Sequence, residues 1–130
     1  MSGKEIDATP VIGDFGFAVH LEEGETCTKR VGSKGYTAPE VLLGEPYAFE
    51  ADIFSLGCLF YALVTADLPF LADTMEDYFF RSQYETVKFD HEEWDDIHDD
   101  LKELITMMLD KKPSERPKIE QVLKHPWFNI

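Results

Sequence analysis

Hydrophobic and polar positions follow no steady rhythm over the first third of the chain and settle into helical periods afterwards. A flexible lead-in is expected over residues 1–10, and Thr9-Pro10-Val11-Ile12 predicts a short strand running into Gly13. From Phe17 to Gly35 neither a period of 2 nor one of 3.6 holds, which predicts a long loop of the kind that is usually functional or mobile. Pro39 to Gly44 reads as a short helix, with Pro near its start and Gly at its end. Glu50 to Ala66 predicts a helix apolar on every side, through Ile53, Phe54, Leu56, Leu59, Phe60, Leu63 and Val64. A helix without a polar stripe must be enclosed by protein, so this is the expected core element. Asp73 to Tyr84 predicts a helix with Tyr78 and Phe79 on an aromatic face, and Phe89 to Asp96 an acidic connection holding Trp94. Asp99 to Leu109 is amphipathic, with Leu101, Leu104, Ile105, Met108 and Leu109 on one side. Lys111 to Pro117 reads as a loop and Lys118 to Lys124 as a last helix, stopped by His125-Pro126. The expected fold class is mainly α, in one unit without repeats.

Composition narrows the partners. The chain has 130 residues, enough for one domain with a modest core, and its ten Phe, five Tyr and two Trp argue against disorder. Lys and Arg number 12 against 26 Asp and Glu, a net charge of −14. Such a chain repels nucleic acid and anionic membrane and favours basic partners; the plainer reading is a solvated acidic surface. Cys27 and Cys58 have no metal-site spacing and suit a reducing compartment. The polar N-terminus is unlike a signal peptide, Ser2 stands where a myristoylation signal needs Gly, and the apolar run Ile53–Val64 is too short to span a bilayer. A cytoplasmic or nuclear location is expected.

Several motif readings fail. His91-Glu92-Glu93-Trp94 opens like a zinc site, but Asp95 occupies the place of the second His. The acids from Asp90 to Asp100 lack the central Gly of a calcium loop, and Gly32-Ser33-Lys34-Gly35 lacks the spacing of a phosphate-cradling P-loop. One ordered set holds. Asp14-Phe15-Gly16 is followed by Gly32-Ser33, Gly35-Tyr36-Thr37 and Ala38-Pro39-Glu40. Then come Asp52-Ile53-Phe54-Ser55-Leu56-Gly57, Leu68-Pro69-Phe70, Trp94-Asp95-Asp96-Ile97, Arg116-Pro117 and His125-Pro126-Trp127-Phe128. In order and spacing the set resembles the C-terminal half of a eukaryotic protein kinase domain, from about residue 11 to 128. It is most similar to Ser/Thr kinases of the calmodulin-dependent type. The resemblance implies an incomplete helical C-lobe, with an activation segment at 14–40 and a helical subdomain at 41–128.

Roles follow from the resemblance, each beside a plainer reading. Asp14, with Phe15 and Gly16, matches the acid that holds Mg²⁺ bridging the nucleotide's β- and γ-phosphates; by itself it is a turn acid. Phe15 is expected to pack beneath Asp14 and Gly16 to let the segment flip. Gly32, Ser33, Gly35 and Tyr36 match the substrate loop, although Lys34 stands where Pro is common. Thr26 and Thr28 are candidate phosphorylation sites or plain loop residues; Thr28 lies one place before the usual phosphosite, which here is Lys29. Glu40 and Arg116 match a buried structural ion pair. Asp52 matches an acid that accepts backbone N–H groups of the catalytic loop; a helix-capping acid is the alternative.

The rest of a kinase's machinery is not among these residues. No GxGxxG occurs, no His is followed by Arg-Asp, and the arginines are Arg30, Arg81 and Arg116. The Gly-rich loop, strand lysine, αC glutamate and H-R-D base are therefore missing. The expectation is a Ser/Thr kinase fragment that is inactive alone. ATP and Mg²⁺ are cofactors of the intact family, and neither is expected to bind tightly here. Expected partners are protein or peptide substrates, basic in character, and either an N-terminal kinase half or a second copy meeting apolar surface left uncovered on the Ile53–Val64 helix. The alternatives are a non-catalytic, kinase-derived binding or scaffold module and a gene fragment without activity of its own.

Overall fold

The long apolar helix is the axis around which the other elements are arranged. The structure, a computed structural model, describes residues 8–129, so most of the expected lead-in lies outside the described residues. Its helices are α1 (Pro39–Leu43), α2 (Glu50–Thr65), α3 (Met75–Tyr84), α4 (Asp99–Met108) and α5 (Ile119–Leu123). Short 3-10 turns lie at Glu92–Asp96, Pro113–Glu115 and Pro126–Asn129. Among the described residues the one piece of sheet pairing is an isolated antiparallel bridge between Cys27 and Tyr47. Among the described residues no helix is long and apolar enough to cross a membrane.

Local chemistry sets the helix ends. Pro39 opens α1 with a preset φ, and Gly44 closes it at φ 73°, its N–H reaching the carbonyls of Glu40 and Val41. Thr74 Oγ1 accepts the Asp77 N–H at 3.1 Å to start α3. His98 Nδ1 accepts the Asp100 N–H at 3.1 Å to start α4, and Gln121 Oε1 accepts the Lys118 N–H at 2.8 Å to start α5. The expected helices over 73–84 and 118–124 are thus a residue or two shorter, because their first residues serve as caps.

Two apolar clusters flank α2. Phe54, Cys58 and Tyr61 pack with Phe70, Tyr78, Trp94, Leu101 and Ile105; Ile53 packs with Leu104, Met108 and Val122. The amphipathic α4 serves both clusters from adjacent sides of its buried stripe. Gly57 lets the two helices approach closely, since a Cβ there would lie 3.0 Å from both Leu109 Cδ2 and Met108 Cβ. Trp94 seats its ring 5.2 Å from Tyr61 and 4.8 Å, edge-on, from Phe89.

Two expectations need correction. Residues 9–12 form no strand: Val11 and Ile12 are exposed, with no neighbouring strand to take their backbone hydrogen bonds. Enclosure of α2 on every side also fails, because Leu59 and Leu63 are exposed, Leu63 to 74%. The uncovered stripe anticipated on Ile53–Val64 is present.

One buried cation is held without a hydrogen bond. Lys111 Nζ has no hydrogen-bond partner among the described residues and lies 3.9 Å from the Phe70 ring centroid. Burial pulls its ammonium down to about 8; neighbouring Arg116 adds to this, while Cys58, Glu85 and Asp110 pull the other way. A group with a depressed folded pKa binds fewer protons folded than unfolded between pH 8 and about 10.5. Its contribution to stability therefore rises with pH across that window. Lys111→Met should unfold at higher urea than wild type at pH 7, with the difference shrinking towards zero as pH rises past about 10.

Candidate functional site: an activation segment and substrate loop tied to the helical core

The first part of the segment lies open. Asp14 sits in the left-handed region at φ 56°, and its Oδ1 accepts the Gly16 N–H at 3.4 Å. A non-glycine residue held there is of the kind found at functional turns. Phe15 does not pack beneath Asp14, contrary to expectation; it is 69% exposed, and Phe17 and Val19 are exposed beside it. Nothing among the described residues covers them. Asp14 can supply one carboxylate oxygen, which fits the single-ligand part of a Mg²⁺ site that is otherwise completed by phosphates and water. Among the described residues no three or more acids, histidines or cysteines gather to hold a metal by themselves.

The middle of the segment is clipped at one point. Cys27 and Tyr47 exchange both backbone hydrogen bonds at 2.8 Å, and the Tyr47 hydroxyl donates to the Lys29 carbonyl at 2.5 Å. That hydroxyl also draws the Cys27 thiol below its usual range, helped by the Lys29 backbone. Burial, with Cys27 beside it, pushes Tyr47 up to about 12. Thr26 and Thr28 flank the clip and are exposed. Farther on, Arg30 Nη2 donates to the Leu43 carbonyl at 3.2 Å.

The end of the segment is fixed from several sides. Gly32 and Gly35 take φ values of 137° and 101°, which turn the chain sharply around Ser33 and Lys34. Thr37 Oγ1 donates to the Ser33 carbonyl at 2.8 Å, Ser55 Oγ on α2 to the Tyr36 carbonyl at 2.8 Å, and Tyr78 Oη on α3 to the Thr37 carbonyl at 2.7 Å. Lys34 Nζ reaches the Asp73 carbonyl at 3.1 Å. Ser33 is left exposed at the tip.

Behind this loop, Glu40 on α1 meets Arg116. Nη1 to Oε1 is 2.6 Å and Nη2 to Oε2 is 2.9 Å, a bidentate pair with Glu40 and Arg116 only 4% and 5% exposed. The guanidinium also donates from Nε to the Asp110 carbonyl and from Nη1 to the Glu50 carbonyl, each at 2.8 Å, and stands 5.0 Å from the Phe54 ring centre. One side chain thus joins α1, the start of α2 and the loop after α4. Asp52 stands apart from this network: it is exposed in the first turn of α2, and its carboxylate takes no hydrogen bond from another described residue. The capping alternative therefore finds no bond here.

Sequence reasoning overlooked Tyr47, Ser55 and Tyr78 as anchors of the segment.

A glycine-turned loop is thus braced on the helical core by a buried Arg–Glu pair, with an Asp-Phe-Gly turn upstream. The protein kinase domain family matches residues 5–128, and the chain belongs to that family. The calcium/calmodulin-dependent protein kinase cmkA of Emericella nidulans is 36% identical over 126 residues, covering 96% of this chain and 30% of that protein. Calcium-dependent protein kinase 13 of Oryza sativa subsp. japonica is 39% identical over 128 residues, covering 98% of this chain and 23% of that protein. Calcium-dependent protein kinase 26 of Arabidopsis thaliana is 42% identical over 115 residues, covering 88% and 24%. The chain spans less than a third of the length of these relatives.

The anchors make two predictions. Glu40→Ala leaves the guanidinium buried and unpaired and should cost about 3–5 kcal/mol in denaturant unfolding, whereas Glu40→Leu with Arg116→Met should cost far less than the two single changes summed. Gly35→Ala should cost about 1–3 kcal/mol, because φ is positive and the new Cβ would lie 2.3 Å from Leu68 Cδ1. Gly13→Ala, with open space around it, should change stability by less than about 0.5 kcal/mol.

Proposed function

We propose that this chain forms the activation segment and substrate-binding lobe of a Ser/Thr protein kinase, and that these 130 residues transfer no phosphate alone. The observation that carries the reading is the Gly32–Tyr36 loop, held by Ser55, Tyr78 and the Glu40–Arg116 pair with the Ser33 hydroxyl left free. A loop held so firmly suits the presentation of a peptide hydroxyl in fixed register, since phosphoryl transfer depends mainly on positioning and electrostatics. In the complemented enzyme Asp14 would supply an oxygen ligand to Mg²⁺, and the ion bound with ATP would neutralise charge on the phosphoryl group. Thr26 and Thr28 are accessible for phosphorylation in a segment pinned at Cys27. Basic peptides are the favoured substrates on grounds of the −14 net charge. The second reading, a non-catalytic binding module, is favoured by the exposed Leu59 and Leu63 on α2, which invite a partner or a second copy.

With radiolabelled ATP, Mg²⁺ and a basic peptide mixture, the chain alone should show no incorporation above background. Adding a kinase N-terminal half that carries the Gly-rich loop, strand lysine and H-R-D base should restore transfer, and Asp14→Asn should lower the restored rate by about 10²–10³-fold. Metal-dependent transfer by the chain alone, or restored activity indifferent to Asp14→Asn, would overturn the proposal.

A further inference from the structure

The stretch from Thr26 to Pro39 runs against the charge of the rest of the chain. Lys29, Arg30 and Lys34 are its only charged residues, whereas the whole chain carries −14. All three are exposed, and among the described residues none forms an ion pair. Arg30 is turned back on the end of α1, where it donates to the Leu43 carbonyl and lies against Gly44. Lys34 instead stands at the tip of the Gly32–Tyr36 loop. The Tyr36 N–H donates to the Ser33 carbonyl at 3.2 Å, so Lys34 and Gly35 are the middle residues of a tight turn. Gly35 is seated against Leu68, with no room there for a Cβ. Lys34 Nζ is tethered at 3.1 Å to the Asp73 carbonyl. An ammonium has three donors, so two N–H groups remain, and a neutral carbonyl leaves its charge uncancelled.

We propose that Lys34 is a specificity-determining residue, which selects Asp or Glu next to the phosphoacceptor in the peptide that docks on the Gly32–Tyr36 loop. The inference rests on the reading of that loop as substrate-binding and names the side chain it takes. A substrate carboxylate brought to the loop meets a cation already held in place, with donors to spare and little rotamer freedom left to lose. A substrate Lys or Arg at the same place meets a like charge. The net charge of the chain acts on a different scale. It draws basic peptides in from a distance, whereas at physiological salt a charge is felt over about 8 Å, so a contact at the loop is governed by the cation beside it. The favoured peptide is therefore basic overall, with one acid beside its Ser or Thr.

The test uses basic peptides of identical composition, each with a single Ser and a single Glu. The Glu stands directly before the Ser, directly after it, or far from it. Equal composition removes the pull of the −14 charge from the comparison. Each peptide is titrated into the isotope-labelled chain and followed by NMR on the amides of Ser33, Lys34, Gly35 and Tyr36. One of the two isomers with adjacent Glu should bind about fivefold tighter than the isomer with distant Glu, and its advantage should shrink as salt is raised. Lys34→Ala should make the isomers equal, and Lys34→Glu should reverse their order. Lys124→Glu, the same charge change at the end of α5, should leave the order intact. Unchanged amide shifts outside the loop establish that each variant is folded. In the enzyme completed with a kinase N-terminal half, kcat/KM should rank the isomers in the same order. Equal binding of the isomers, an order that survives Lys34→Glu, or no shift at the loop would each overturn the inference. The expected binding order without phosphate transfer in the completed enzyme would uphold it and overturn the proposed kinase function instead.

Discussion

The place of α1 and of the loop before it depends on where one guanidinium sits. Arg116 is buried on a tight loop after α4 and spends its donors on Glu40, the Glu50 carbonyl and the Asp110 carbonyl. A charge removed from water in this way is tolerable only when fully partnered, so the three segments it touches must arrive together. α1 is five residues long and could not hold a helix by propensity. It persists because Glu40 is fixed from below, Pro39 from the start and Gly44 from the end. The Gly32–Tyr36 loop is held with that short helix, since Tyr36 and Thr37 lie just before it and are tied to α2 and α3.

Most of this arrangement was legible in the sequence. The 3.6-residue period of Leu101, Leu104, Ile105 and Met108 gave α4, and the unbroken apolar run gave α2. Pro39 and Gly44 bracketed α1 because their backbone preferences are strong enough to act locally. Glu40 and Arg116 were found only through a family resemblance, as no periodicity connects residues so far apart. Tyr78 and Ser55 were missed for a related reason: each joins its element to the segment through a single hydroxyl, and a hydroxyl leaves no pattern. The strand expected at 9–12 failed because a strand is a property of two segments, and β-type residues in one of them do not supply the other.

Phe15, Phe17 and Val19 near the start of the described chain, with Leu59 and Leu63 on α2, are exposed apolar side chains. The acidic balance of the chain, which as composition favours basic partners, bears on what could cover such side chains.

The central claim is that the Glu40–Arg116 pair makes residues 36–42 part of the helical core while residues 11–19 remain separate. Amide hydrogen exchange, followed residue by residue in wild type and in Arg116→Met, addresses it directly. Tyr36, Val41 and Leu42 should exchange with the slow amides of α2 and α4 in wild type, and in Arg116→Met they should open independently while α4 stays protected. Residues 11–19 should exchange fast in both proteins. Uniform loss of protection across α1, α2 and α4, or unchanged protection of 36–42 in the variant, would contradict the claim.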